Sequence, residues 1–490
     1  MNSLSMDDRH REFLDEAAHA AERIRSWILQ GVQVACFTHN DADALSAAGI
    51  LAGALRREEV RFRCRSIHRM EEFFILLDGG YLGSEKVIFT DLGSGYIEEL
   101  SRRLGDREVI ILDHHEPARV SLPARWVHVN PHLCGIDGAT EISASGVVYL
   151  VAKNLNPANI QYAPIALVGA LGDLQDKDSV RRLYGLNELI VRDGVENNLL
   201  EVHEDLVLYG RTFRPLHISL ASTTSPFIPG LSGKEDACYN FITSLGIPVK
   251  NDDQWRTLSD LSEDEKKKLF SGIVEYLVSR KIPAEMANEL IGTVYDLVGE
   301  EGWIYLRDAR EFSTLLNACG KTGRAYLGIV VAMGERGEIV EEASKVLEEY
   351  RAGLAKTMDY VSRPGVIEAL NHTVVLKGGG IIDEKQISSV ATILSSSGMV
   401  PKDRPLIAIA EAGHYVKVSA RANRELVGRG LDLGLILSKL SSQHGGRGGG
   451  HNVAAGAEIP SDRLLRFLAD FDKRVGEVLG DEGGADKDLG

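Results

Sequence analysis

The sequence predicts an α/β protein: a doubly wound parallel-sheet domain, then a mostly helical middle insert, then a smaller α/β domain. Three observations carry this expectation. Up to about residue 195, short apolar runs alternate with stretches of helical period, the pattern of a parallel sheet covered by helices. From about 200 to 350 the strand signal thins and helical patterns dominate. From about 365 to 478 the alternation returns. At 490 residues the chain is also too long for one core. The expected boundaries are 1–195, 196–360 and 361–480, followed by a Gly/Asp-rich tail, 481–490, expected to be disordered.

Taken in order, residues 7–30 read as a helix, because Phe13, Ala17, Ala21, Ile24 and Ile28 recur at helical spacing and Gly31 closes it. Val32 to Phe37 is a short run containing β-branched residues and reads as a buried strand. Ala44 to Arg57 is rich in Ala and Leu, a helix suited to close packing on a sheet. Val60 to Arg65 alternates apolar residues with Arg, which marks a half-buried strand near an edge. Lys86 to Asp91, Glu108 to Asp113 and Trp126 to Asn130 are further strands, and Ser143 to Leu155 and Pro164 to Leu171 are helices. In the middle, Glu263 to Arg280 and Glu338 to Arg351 are helical, while Ser222 to Gly233 is a loop by composition. Later, Pro405 to Ala410 and His414 to Ala420 flank a hairpin turn, and Leu431 to Leu440 is a helix. A glycine-rich loop, Gly445 to His451, and an amphipathic helix from Ser461 complete the fold.

Composition narrows the function. Hydrophobic content of 44% and charged content of 26% are those of an ordinary globular protein. No apolar run is long enough to span a bilayer, and the polar start MNSLSMDDRHREF does not read as a signal peptide, so none is expected. Five cysteines without a C-x-x-C pair argue for a reducing compartment, so a cytoplasmic location is expected. A net charge of −16 excludes a globally basic nucleic-acid binder. It leaves room for a local one: residues 401–451 hold eight Lys or Arg against four Asp or Glu.

Four stretches place acids or histidines just beyond an apolar element. Alternate residues leave the first strand as His39, Asp41 and Asp43. Asp91 ends the run Phe89-Thr90-Asp91, Asp113-His114-His115 follow Leu112, and Gly169 to Leu171 lead through Gly172 to Asp173. One acidic turn after a strand is most often a helix cap; four in series, at the sheet edge where open α/β folds build sites, point to metal ligation. A phosphate hydrolase needs two divalent cations about 3.5–4 Å apart, held by carboxylates and imidazoles, with one carboxylate bridging. Ligation without thiolates suits Mn²⁺, with Mg²⁺, Co²⁺ and Zn²⁺ as further candidates. Asp176, close to Asp173, is an alternative for its role. His68, His128 and His132 read as ordinary histidines, with a minor site role open for the last two.

These motifs resemble those of the DHH phosphoesterases. Asp113-His114-His115 is similar to the motif that names the family, and H-x-D-x-D, Asp91 and Asp173 match its other motifs in order. Gly448-Gly449-Gly450-His451, continuing to Gly456, resembles the signature of the DHHA1 substrate-binding domain, and Val418 to Arg421 resembles its phosphate-binding strand. Ala44 departs from the glycine common at its place, but alanine is also small. The resemblance covers about 30–180 and 365–460, and the long insert between is most similar to archaeal RecJ-like nucleases, including the GINS-associated nuclease. It implies that His39 and Asp41 hold one metal, that Asp43, His114 and Asp173 hold the other, and that Asp91 bridges. It further implies that Asp113 orients the histidine pair, His115 meets the scissile phosphate, and Arg421, Gly449, Gly450 and His451 bind substrate. The implied activity is 5′→3′ hydrolysis of single-stranded DNA, with RNA a further substrate. A phosphodiesterase acting on short oligonucleotides or cyclic dinucleotides, and a replisome scaffold, are the alternatives. The implied protein partner is GINS or the replicative helicase complex. Phe227-Ile228, between two prolines in the middle region, is the expected partner surface.

Overall fold

The computed structural model describes residues 7–480 except 84, 177–180, 224, 225, 227, 283, 362 and 397–399. The expected disordered tail, 481–490, lies outside the described residues.

The first part alternates as expected. Asp7 caps α1 (Asp8–Leu29), its carboxylate accepting the His10 N–H at 3.0 Å. There follow β1 (Val34–Thr38), α2 (Ala42–Arg57), β2 (Phe62–Ser66), α3 (Met70–Asp78), β3 (Lys86–Thr90), α4 (Ile97–Leu104), β4 (Val109–Leu112), β5 (Trp126–Val129), α5 (Ala144–Leu155), α6 (Ala163–Gly172) and α7 (Leu186–Glu196). The five strands form one parallel sheet in the order β2-β1-β3-β4-β5. β1, β4 and β5 are buried along their length, while β2, at the edge, keeps its arginines partly in solvent. The connection from β1 runs outward to β2, and the next returns to β3 on the other side. The strand order therefore reverses between β1 and β3, where doubly wound sheets open a crevice at their carboxyl edge.

The middle contains β6 (Leu200–Leu206), α8 (Leu216–Ser222), α9 (Glu235–Ser244), β7 (Lys250–Asn251), β8 (Gln254–Trp255), α10 (Glu263–Ser279), β9 (Ile291–Leu297), α11 (Ala309–Lys321), α12 (Ala325–Ala332) and α13 (Glu338–Val361). Its helices match the sequence reading, but β6 and β9 do not. They pair antiparallel from Leu200 opposite Leu297 to Leu206 opposite Ile291. β6 reads LEVHEDL, whose acids mask its strand character; buried Arg211 offsets Asp205, and it bonds Asp308, the N-cap of α11, at 2.7 Å. Ile228, expected at an exposed partner surface, is fully buried, and its N–H donates to Ser232 Oγ at 2.9 Å. Thr224, Ser225 and Phe227 of that expected surface lie outside the described residues.

The last part comprises β10 (Ile367–Ala369), β11 (Val374–Lys377), α14 (Ile387–Ser396), β12 (Leu406–Ala412), β13 (Tyr415–Arg421), α15 (Arg424–Gly428), α16 (Leu433–Gln443), β14 (Arg447–Gly450), β15 (Ala454–Pro460) and α17 (Leu464–Leu479). Its strands form one sheet in the order β10-β11-β12-β13-β15-β14. The expected hairpin is β12–β13. The glycine run is not only a loop. Arg447 to Gly450 form an edge strand, because pairing with β15 satisfies backbone groups that the composition alone would leave to water.

Two compact units form: Met1–Arg214 with Thr257–Lys266 and Ala287–Glu348, and Pro215–Arg256 with Lys267–Met286 and Glu349–Gly490. The region expected as a separate middle, 196–360, is divided between them. The reason lies in α2, which is buried from Ala42 to Leu55 and so needs cover all round. α5 and α6 supply part of it, and α11 and α12 supply more. Phe312 of α11 is fully buried. Replacing Phe312 with Ala is expected to cost about 3–5 kcal/mol in urea unfolding. A loss under about 1 kcal/mol would place α11 outside the core.

Candidate metal centre

The residues expected as ligands gather at the carboxyl edge of the parallel sheet. Asp41 caps α2, accepting the Ala44 N–H at 3.0 Å, and its other oxygen lies 2.8 Å from His39 Nδ1. Asp43, in the first turn of α2, is buried and accepts the N–H groups of Ala144 and Ser145, at 2.7 and 3.0 Å, at the start of α5. A side chain on Gly169 of α6 would sit 2.5 Å from Asp43 Oδ1, so glycine there makes room for the carboxylate. Asp173 caps the end of α6, with Oδ2 at 3.8 Å from His114 Nδ1. Asp176, the alternative, is instead held by Arg310 at 2.7 and 3.0 Å.

Asp91 follows β3 in a left-handed backbone conformation (φ 60°) that a non-glycine residue rarely adopts. Its N–H donates to the Leu112 carbonyl at 3.0 Å, so the sheet ladder holds the turn. Asp91 lies among two sets of ligand atoms, each within 4.8 Å of one another: His39, Asp41 and Asp91, and Asp91, His114 and His115. Asp113 Oδ1 accepts the N–H of His114 at 2.8 Å, the N–H of His115 at 3.2 Å and the His115 Nδ1–H at 2.8 Å; its Oδ2 accepts the Ser94 N–H at 3.0 Å. Asp113 was expected to orient both imidazoles. It takes the His115 ring alone, while His114 Nδ1 donates to the Gly138 carbonyl at 2.7 Å, because the two rings leave the turn in different directions.

That last contact tests whether the residues fit a metal. A carbonyl only accepts, so the proton lies on His114 Nδ1, and Nε2 of the neutral ring presents a lone pair. Nε2 faces Asp91 Oδ1 at 3.3 Å and Asp43 Oδ2 at 3.8 Å, both acceptors as well. Asp91 Oδ1 is buried and, among the described residues, has no hydrogen-bond partner. Acceptors turned on one another need a proton or a cation between them. A donor set of carboxylates and imidazoles suits a divalent cation.

The electrostatics agree. Burial pushes Asp91 well above the usual carboxylate range, and the charges of Asp41 and Asp43 add to it. Burial and the same two carboxylates outweigh His114 and raise Asp173 to about 6. Burial opposes charge on His114, yet Asp173, Asp43 and Asp113 raise it to about 9. His115 likewise rises to about 9, against burial, chiefly through Asp113. Burial also opposes the charges of Asp113 and Asp41, but His115 and His39 respectively hold them below the ordinary range.

The expected substrate residues lie in the second unit. Arg421 ends β13 opposite Ala454 of β15, whose neighbour Ala455 lies opposite Gly450 of β14. Arg421, Gly449, Gly450 and His451 thus share one end of that sheet. The guanidinium donates to Ser388 Oγ at 2.9 Å, Thr392 Oγ1 at 3.0 Å and Ser419 Oγ at 3.1 Å. Burial lowers it to about 10, still a cation at neutral pH, and no carboxylate among the described residues pairs with it. Residues that the sequence did not single out also hold the centre. Asn317 of α11 accepts the Ala42 N–H at 3.0 Å, and Ser94 Oγ lies 2.8 Å from His128 Nε2.

Family comparison gives these motifs a common origin. The N-terminal domain of the DHH family matches residues 33–170, the DHHA1 domain 370–477 and the DHH-CID domain 208–291. The chain belongs to the RecJ-like DHH family. An uncharacterized protein of Methanocaldococcus jannaschii is 32% identical over 96% of this chain and 99% of its own length. The single-stranded-DNA-specific exonuclease RecJ of Thermus thermophilus is 28% identical over 36% of this chain and 27% of its own. The fold of this DHH-family chain is similar to RecJ of Thermus thermophilus in complex with Mn²⁺ (TM-score 0.55, 17% identity, 94% of this chain and 55% of that one). It is also similar to CDC45 from Entamoeba histolytica (TM-score 0.62, 14% identity, 94% and 99%). The chain therefore spans about half the length of the Thermus RecJ structure. Among the described residues no helix is long and apolar enough to cross a membrane.

In metal-free protein His114 holds its proton to about pH 9, against 6.5 when unfolded. The folded state then binds more protons, so this contribution is complete below pH 6.5 and is lost as pH rises through 9. With a chelator present, the melting temperature is expected to fall between pH 6.5 and 9, and to fall less in His114→Gln. Equal slopes in parent and variant would contradict this electrostatic picture.

Proposed function

We propose that the chain is a metal-dependent phosphodiesterase that hydrolyses single-stranded DNA, with RNA as a further substrate, from the 5′ end in the cytoplasm. The observation that carries this reading is the buried Asp91 Oδ1, which has no hydrogen-bond partner among the described residues and lies among His39, Asp41, His114 and His115. His39 and Asp41 would hold one divalent cation, Asp43, His114 and Asp173 a second, with Asp91 shared; Mn²⁺ is the first choice. Such cations neutralise phosphate charge and lower the pKa of water. The chain's own groups do the rest. Asp113 fixes the His115 ring by its Nδ1–H, and the half-exposed imidazole would donate through its other nitrogen to a phosphate oxygen. Arg421 supplies a fixed cation for the nucleic-acid backbone, and Gly449, whose side-chain position is open space, would let that backbone approach.

The sequence similarity to a single-stranded-DNA-specific exonuclease supports a polymeric substrate over a cyclic dinucleotide. The acidic and imidazole residues gathered around Asp91 support catalysis over a scaffold role alone. End-labelled DNA, the same sequence as RNA, a dinucleotide and a cyclic dinucleotide, each incubated with Mn²⁺, would decide. The expected result is a ladder from the 5′ end of DNA, lost in Asp91→Ala and Asp173→Ala. Arg421→Ala should weaken strand binding and reduce its salt dependence by about one unit of slope. Near-parent turnover by Asp91→Ala, or cleavage of the dinucleotides alone, would overturn the assignment.

A docking role beside catalysis has its own observation. In the segment matching the DHH-CID domain, Trp255 and Tyr239 are 44% and 39% exposed, with ring centroids 6.4 Å apart. Exposed aromatics of this kind anchor protein partners. We propose that this pair meets a replication-fork complex of the GINS type. Replacing both with Ser should remove binding to purified GINS or helicase complex and leave strand cleavage intact; retained binding would exclude this surface.

A further inference from the structure

We propose that Gln175 is a positioning residue of the metal centre, which sets the His114 ring and the Asp173 carboxylate together through one shared carbonyl. The inference rests on the reading of this site as a metal centre. Gln175 lies just past the end of α6 and is almost wholly buried. Its amide nitrogen donates to the Gly138 carbonyl at 2.9 Å and to Asp173 Oδ2 at 3.1 Å. Its amide oxygen accepts from Asn187 Nδ2 at 2.8 Å, and Asn187 is itself fully buried. With two acceptors on one side and a donor on the other, the amide has one orientation that satisfies all three contacts.

The Gly138 carbonyl is the same oxygen that accepts the His114 Nδ1–H at 2.7 Å. A side chain at Gly138 would lie 2.1 Å from the His114 carbonyl oxygen, so only glycine lets this oxygen come so close. One oxygen thus carries a bond to the imidazole and a bond to the residue that holds the carboxylate. The arrangement keeps the His114 proton on Nδ1 and turns Nε2 toward Asp91 and Asp43. Asp113 does not serve this purpose, because its ring contact goes to His115. Asp173 has about a third of its side chain exposed, so the Gln175 bond restrains a carboxylate that packing alone leaves room to turn.

A plain filling role would make Gln175 matter for folding and not for metal. The two are separated by calorimetric titration of the full metal-free chain with Mn²⁺. Parent, Gln175→Met, Asn187→Leu and Asp91→Ala would be compared, each melted in chelator alongside. Met keeps the length of Gln and removes its donors. Gln175→Met is expected to bind Mn²⁺ roughly ten- to a hundredfold more weakly, the usual effect of losing a residue that orients a ligand. Asn187→Leu, which leaves Gln175 unbraced, should shift affinity the same way by less and covers the case in which Gln175→Met does not fold. Strand hydrolysis by these two variants should recover with added Mn²⁺ while the substrate KM stays near the parent's. If both bind Mn²⁺ like the parent while Asp91→Ala does not, Gln175 has no positioning role. If Asp91→Ala also binds like the parent, the metal-centre reading itself fails and the inference falls with it.

Discussion

Asp91 Oδ1 lies buried at the carboxyl edge of the parallel sheet with no hydrogen-bond partner among the described residues, and much of the structure follows from what such an atom requires. Its residue adopts a left-handed backbone, a strain of about 1–3 kcal/mol for a non-glycine side chain. Asp41 and Asp43 crowd it with like charge. His114 turns toward it the nitrogen that the Gly138 bond leaves without a proton in the neutral ring. Crowded like charge and an acceptor without a partner are both unfavourable, and a divalent cation would offset the two together. The sheet supports the strain from behind, since the Asp91 N–H completes the ladder to β4.

The rest of the first unit keeps these groups from relaxing. The N-terminus of α5 donates two N–H groups to Asp43, and Gly169 of α6 leaves space for it. Asn317 accepts the Ala42 N–H, so a helix distant in sequence fixes the start of α2, where Asp41 and Asp43 begin. This explains why residues 287–348 belong with the parallel sheet. The second unit carries a different device, a guanidinium held by three hydroxyls beside a glycine strand. A fixed guanidinium suits an anion and not a metal.

The parallel strands were legible because strands buried on both faces read as continuous apolar runs, as Val109 to Leu112 does. The spacing of His39, Asp41 and Asp43 was legible because a strand exit keeps a period of two. β6 was not, since Glu201, His203, Glu204 and Asp205 look like a solvated turn until the pairing with β9 is seen. The glycine run looked like a loop because composition reports the cost of ordering it and not the hairpin pairing with β15 that offsets that cost. Asp173 and Asp176 could not be separated by sequence, because the choice depends on Arg310, far along the chain. Gly138, Gln175 and Asn317 gave no signal at all, since each acts through one tertiary hydrogen bond or two.

Cations at Asp91 are the central requirement of a catalytic site here. Crystals grown with Mn²⁺ and measured at the manganese absorption edge would locate them without any assay of activity. Two anomalous peaks about 3.5–4 Å apart are expected on either side of the Asp91 carboxylate. Full occupancy of Mn²⁺ elsewhere, with no peak within coordination distance of Asp91, would contradict a catalytic site there.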